Sequence, residues 1–212
     1  NSAVGLNALY SNTSGTSNTA LGTYALTSNT TASNNTAVGF QAGYINTTGT
    51  GLVALGTYAM YSNTTGVHNV AVGRAAVYYN TTGNYNVGIG SEDATGYPAL
   101  YRNTTGASNV SVGVEALQAN TTASNNTAVG NYALQYNTTG NHNVGVGVNA
   151  LRLNTTASSN TAVGASALNS NTTASEITGV GYRALYSNST GARNTAVGFE
   201  AGKNITTGAD NV

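Results

Sequence analysis

The chain has no cysteine, a single proline, and charged residues at only 6% of its 212 positions. Without thiols there can be no disulfide staples and no thiolate metal centres. Six Lys and Arg balance six Asp and Glu, so no net field draws the chain to nucleic acid or to an anionic membrane. No stretch approaches about 18 consecutive apolar residues, and no charged start leads into an apolar run, so neither a membrane span nor a secretory leader is expected. Aspartate stands only at Asp93 and Asp210, too sparse for the Asp-bearing, glycine-rich turns of a calcium-binding β-roll.

Glycine, in contrast, is abundant and periodic. It recurs at Gly5, Gly22, Gly39, Gly56, Gly73 and Gly90, then at Gly113, Gly130, Gly147, Gly164, Gly181 and Gly198. Every interval is 17 residues except the 23 between Gly90 and Gly113. A strict period of this length marks a solenoid, in which each turn buries its apolar residues only against the turns above and below.

With this glycine as phase 0, phase 3 is Ala in all twelve copies and phase 4 is mostly Leu. Phases 7 to 10 read Asn-Thr-Thr-Gly or Asn-Thr-Thr-Ala, and phases 13 to 16 read as in Asn35-Thr36-Ala37-Val38. Side chains alternate along a strand, so phases 14 and 16 share one face. Phase 16 is only Val, Leu or Ile, the composition of a buried β column. Phase 15 is never larger than Ala or Ser; it is either a cramped interior or a face on which another chain packs. The expected fold is all-β: a parallel β-solenoid, or β-roll, of about twelve 17-residue rungs. Two short strands per rung are expected, at phases 13 to 16 and 2 to 5. Residues 1–212 read as one repeat domain with one six-residue insertion within 91–98. The chain runs from phase 13 to phase 14 without a capping segment, which is expected of a piece of a longer fibre. So thin a core, open at both ends, calls for a homo-oligomer, either a trimer or a filament.

The units Asn-Thr-Ala-Val-Gly-x-x-Ala-Leu at 126–134 and 160–168, with Gly43 for Leu at 35–43, resemble the head repeats of YadA-like trimeric autotransporter adhesins. They also resemble repeats of phage tail-fibre and tailspike proteins. The resemblance implies a left-handed roll, trimerised into an extracellular fibre on a cell surface or virion that binds host surfaces or matrix.

Several residues stand out from the repeat. The insertion carries Glu92, Asp93, Tyr97 and Pro98, and a loop protruding from a rigid scaffold is a candidate for recognition. Tyr10, Tyr44, Tyr61, Tyr78, Tyr101 and Tyr186 share phase 5, a stripe that could stack on a host-surface glycan or protein, or lie in an oligomer contact. Every repeat holds an Asn-x-Ser/Thr triplet, at Asn12, Asn29, Asn46, Asn63, Asn80, Asn103, Asn120, Asn137, Asn154, Asn171, Asn188 and Asn204. These read either as glycan acceptors on a self-assembling filament or as the residues that make the turn. Columns of Asn at phase 7 and Thr at phase 9 would form a regular array of the ice-binding kind. His68 and His142 share phase 12 but lie four rungs apart, roughly 19 Å, too far to share a metal. Glu115, one rung beyond Glu92, is a weak second carboxylate for a hydrolase. No catalytic residue, metal or cofactor is expected; the functional expectation is a structural or adhesive fibre segment.

Overall fold

A computed structural model describes residues 1–92 and 96–212. Twelve strands, from β1 (Ser2–Val4) to β12 (Thr195–Val197), stack in sequence order into one parallel sheet. Each strand is three residues long and fills phases 14 to 16, where β-branched and small residues alternate. The described residues include no helix, hence none long and apolar enough to cross a membrane. Registry is retained across the insertion: β6 (Val87–Ile89) pairs with β7 (Val110–Val112) through Val87↔Val110, so the six extra residues shift no rung. The chain is thus a β-solenoid with a 17-residue turn.

The second strand expected at phases 2 to 5 does not form. Phases 2 and 4 both adopt left-handed backbone, as at Tyr58 (φ 60°) and Met60 (φ 51°) or Tyr132 (φ 62°) and Leu134 (φ 51°), which no extended strand accommodates. Two successive turns stand there instead. The Ala59 N–H donates to the Gly56 carbonyl and the Asn63 N–H to that of Met60. Rung-to-rung bonding persists through the turns, with the Met60 N–H donating to the Ala76 carbonyl at 3.0 Å. One strand per rung therefore suffices to ladder the backbone.

Phase 16, expected to be buried, lies on the outer face, and of the two readings of phase 15 the cramped interior is the one found. Phase 15 points inward: Ala37, Ala71, Ser111 and Ala128 are fully buried. The aliphatic phase 16 points outward, with Leu21 48%, Ile89 39% and Val163 37% exposed. The interior leaves room for no side chain larger than Ala or Ser at phase 15, because the phase 4 side chain already fills it. A Cβ added at Gly145 would lie 3.3 Å from the Leu134 Cγ. The core is a stack of phase 3 Ala, phase 4 Leu and phase 15 Ala, flanked by buried asparagines.

The invariant glycine is required twice over. Gly39 has φ +134°, and a Cβ there would sit 2.6 Å from the carbonyl carbon of Gly56 in the next rung, closer than packed atoms approach. At phase 10, where four rungs carry Ala, no glycine has positive φ.

Candidate functional site

The Asn-Thr-Thr corner is an internal scaffold. Asn120 Nδ2 donates to Asn103 Oδ1 in the preceding rung at 2.8 Å and to the Ala123 carbonyl at 3.0 Å. The same pair of bonds recurs from Asn29 to Asn188, forming an amide ladder along the rod. Phase 13 builds a second ladder: Asn109 Oδ1 accepts from the Asn126 N–H at 3.0 Å, and its Nδ2 donates to the Ala123 carbonyl at 2.8 Å. The first Thr bonds forward as well, Thr64 Oγ1 donating to the Thr81 carbonyl at 3.0 Å.

These ladders correct two expectations. Asn29, Asn46, Asn63, Asn80, Asn103, Asn120, Asn137, Asn154, Asn171 and Asn188 are fully buried with both side-chain atoms engaged, so the folded rod has no room for a glycan on them. Only Asn204 is exposed, and Asn12 is half-buried. The surface array of Asn at phase 7 and Thr at phase 9 does not exist either, because its Asn column faces the core.

Of the insertion residues, Asp93 lies outside the described residues. Glu92 pairs with Arg74. Tyr97 is exposed and takes the place of phase 1, its carbonyl accepting from the Glu115 N–H at 3.1 Å. Pro98 is buried at phase 2. His68 and His142 are exposed, and His68 stacks on Tyr85 at 5.4 Å. Among the described residues no three His, Asp or Glu gather where a metal could be held.

The tyrosine stripe divides. Tyr44, Tyr61, Tyr78 and Tyr101 form a continuous stack, with centroids 5.2, 5.1 and 5.5 Å apart. Tyr10 stands 75% exposed at the first rung, and Tyr186 lies well removed under Arg183. The stack is broader than phase 5 alone: Tyr24 and Tyr58 at phase 2, Phe40 at phase 1, Tyr79 at phase 6 and Tyr97 all join it edge-on or tilted. Single-column counting missed these rings, although phases 1, 2, 5 and 6 flank the same pair of turns. Burial, then the neighbouring tyrosines Tyr61, Tyr79 and Tyr58, raise the Tyr78 phenol above its ordinary value. Burial, followed by the hydrogen bond with Tyr79, pushes Tyr101 up to about 12.

Beyond Tyr101 the same column turns polar, running Gln118, Gln135, Arg152 and Asn169. Here Glu115 is 9% exposed and accepts from the Tyr97 N–H at 3.2 Å and from the Gln135 amide. Arg152 Nε donates to Gln135 Oε1 at 2.7 Å, with its guanidinium 5.4 Å from the Tyr132 ring centroid. Glu115 is therefore tied into an amide and guanidinium chain rather than to Glu92. Next to it lies a recess of about 430 Å³.

No family model, curated protein or solved structure matches the chain.

Proposed function

We propose that this chain is a non-catalytic, extracellular fibre segment that self-associates through the outer face of its sheet and serves as a spacer or adhesive rod. The observation that carries the reading is the outward aliphatic column at phase 16, beside a Thr or Val column at phase 14. Both run in register over twelve strands. A face about 10 Å wide and about 53 Å long covers on the order of 500 Å² a side, near the lower bound of a stable interface. In the central rungs it is wholly apolar: Val53 and Leu55, Val70 and Val72, Val87 and Ile89, Val110 and Val112. Copies of this face that converge on an axis along the rod close a trimer, and copies offset along the rod continue as a filament. The small phase 15 column, which could have been either interior or partner face, lies inside, so the contact falls to its aliphatic neighbours.

Light scattering of the purified chain tests this. The expected mass is an integral multiple of 21.2 kDa, a trimer and a growing filament being separated by concentration dependence. Val72→Lys with Val112→Lys should yield monomers with unchanged circular dichroism. A monomeric parent chain refutes the proposal.

A further inference from the structure

The recess beside Glu115 exists because of one small residue. At phase 6 of successive rungs stand Tyr79, Arg102, Ala119, Tyr136 and Leu153. Ala119, between Arg102 and Tyr136, leaves a gap whose floor is Gln118, Gln135 and Glu115, with Tyr97 at the rim. Its volume of about 430 Å³ lies in the range of small-molecule sites, roughly 300 to 1,000 Å³.

The chemistry of the lining is specific. Gln118 is 5% exposed and lines the recess, and no hydrogen bond of its side-chain amide is found among the described residues; its polar atoms are not sealed from solvent, so they are free to meet a ligand in the recess. Glu115 and Gln135 add an acceptor and an amide fixed by Arg152, while Arg102, 5.6 Å from the Tyr97 ring centroid, supplies donors. The rings of Tyr97 and Tyr136 flank these groups. Flat rings suit the C–H faces of a sugar, and paired donors and acceptors suit its hydroxyls.

We propose that this recess is a binding site for a neutral saccharide, one or two pyranose rings long, with Gln118 as its principal hydroxyl partner. Glu115 opposite Arg102 leaves little net charge, which disfavours an anionic sugar. None of the lining residues belongs to a strand, and the site is complete within one chain. It therefore does not depend on the self-association proposed above.

The test is saturation-transfer NMR on the full chain with cellotriose, maltotriose, lactose and N-acetylchitotriose as neutral probes, and sialyllactose as the anionic one. At least one neutral probe should bind with a Kd on the order of 1 mM. Ala119→Tyr fills the gap with a ring that phase 6 already accepts at Tyr79 and Tyr136, and should abolish binding. Gln118→Ala should weaken it about tenfold, and His142→Ser, elsewhere on the rod, should leave it unchanged. Absence of binding by all neutral probes, preference for sialyllactose, or full binding by Ala119→Tyr each overturns the assignment. Mass in solution is read separately, so failure here and failure of the fibre reading are distinguishable.

Discussion

Replacing Asn120 by Ala isolates what the buried amide ladder contributes. The side chain donates to Asn103 Oδ1 and to the Ala123 carbonyl, and its Oδ1 accepts from Asn137 Nδ2 at 3.2 Å. After truncation Asn137 keeps its bond to the Gly140 carbonyl, and the Ala123 carbonyl keeps that from Asn109. Asn103 Oδ1 is left buried without a donor. Three bonds at about 1 kcal/mol each, with an orphaned acceptor costing about 1 to 3 kcal/mol, give a loss of about 4 to 6 kcal/mol. Urea unfolding followed by circular dichroism measures it, and hydrogen exchange should place the lost protection in the rungs holding Asn103, Asn120 and Asn137. Asn120→Asp keeps the volume but turns an acceptor toward Asn103 Oδ1 and the Ala123 carbonyl. It should be as damaging at neutral pH and recover in part on acidification, as protonation restores a donor. Asn141, half-exposed at phase 11, should cost under about 1 kcal/mol when changed to Ala. If Asn120→Ala is equally mild, the ladder is not a net source of stability.

Gly88 faces Val77, whose Cγ2 methyl occupies the place of a phase 15 Cβ; Gly88→Ala alone should cost about 1 to 3 kcal/mol. Combined with Val77→Leu it recreates the pair Leu117 and Ala128 of another rung and should restore stability, a coupling that a thermal double-mutant cycle reads directly. Leu52 interrupts the phase 13 ladder, leaving the Asn69 N–H without the acceptor that Asn109 gives Asn126. Leu52→Asn should therefore shift the melting free energy by less than about 1 kcal/mol, whereas Leu117→Asn in the core should cost more than about 3 kcal/mol. Because Tyr101 holds its proton up to about 12 while an unfolded tyrosine loses it near 10, unfolding releases a proton in that window. Stability should fall as pH rises from about 10 to 12, and Tyr101→Phe should flatten the decline in urea midpoint.

The period, the parallel stacking and the all-β class are legible from the chain because each is stated twelve times. The orientation of the strand is not. Phases 14 and 16 alternate with phase 15 at the same frequency, so aliphatic content alone assigned the core to the wrong face. What decides it is the turn across the interior, where left-handed residues at phases 2 and 4 swing Leu117 or Leu134 against the sheet. A sequence motif does not announce left-handed backbone when the residues are Tyr, Leu and Val, types that ordinarily avoid it. The Asn-Thr-Thr corner was recognisable as a turn, but its depth was not: the triplet reads the same on a surface loop and in a buried ladder. In the candidate site, Glu115 and the tyrosines were visible one column at a time. The recess depends on Ala119, whose significance lies in its neighbours 17 residues away on either side.

The insertion and the only proline are coupled by the same backbone logic. In other rungs phase 2 is left-handed and its N–H donates to the phase 1 carbonyl of the rung before, as Tyr132 does to Val114 at 2.9 Å. Pro98 holds phase 2 with neither capacity, since its ring fixes φ near −65° and it has no N–H. This is the rung with six extra residues, and in it the Asn103 to Asn80 bond (2.8 Å) and the Val87↔Val110 pairing stay intact. Deleting residues 91–96 restores the 17-residue spacing but forces Pro98 into a left-handed site, and should cost about 3 kcal/mol. The deletion combined with Pro98→Asn, which tolerates that backbone and restores the donor, should return to within about 1 kcal/mol of the parent. Pro98→Asn with the insertion present should change little. Thermal unfolding of the three variants decides the matter: a deletion that is harmless with Pro98 in place would mean that the rung can close without a left-handed residue at phase 2.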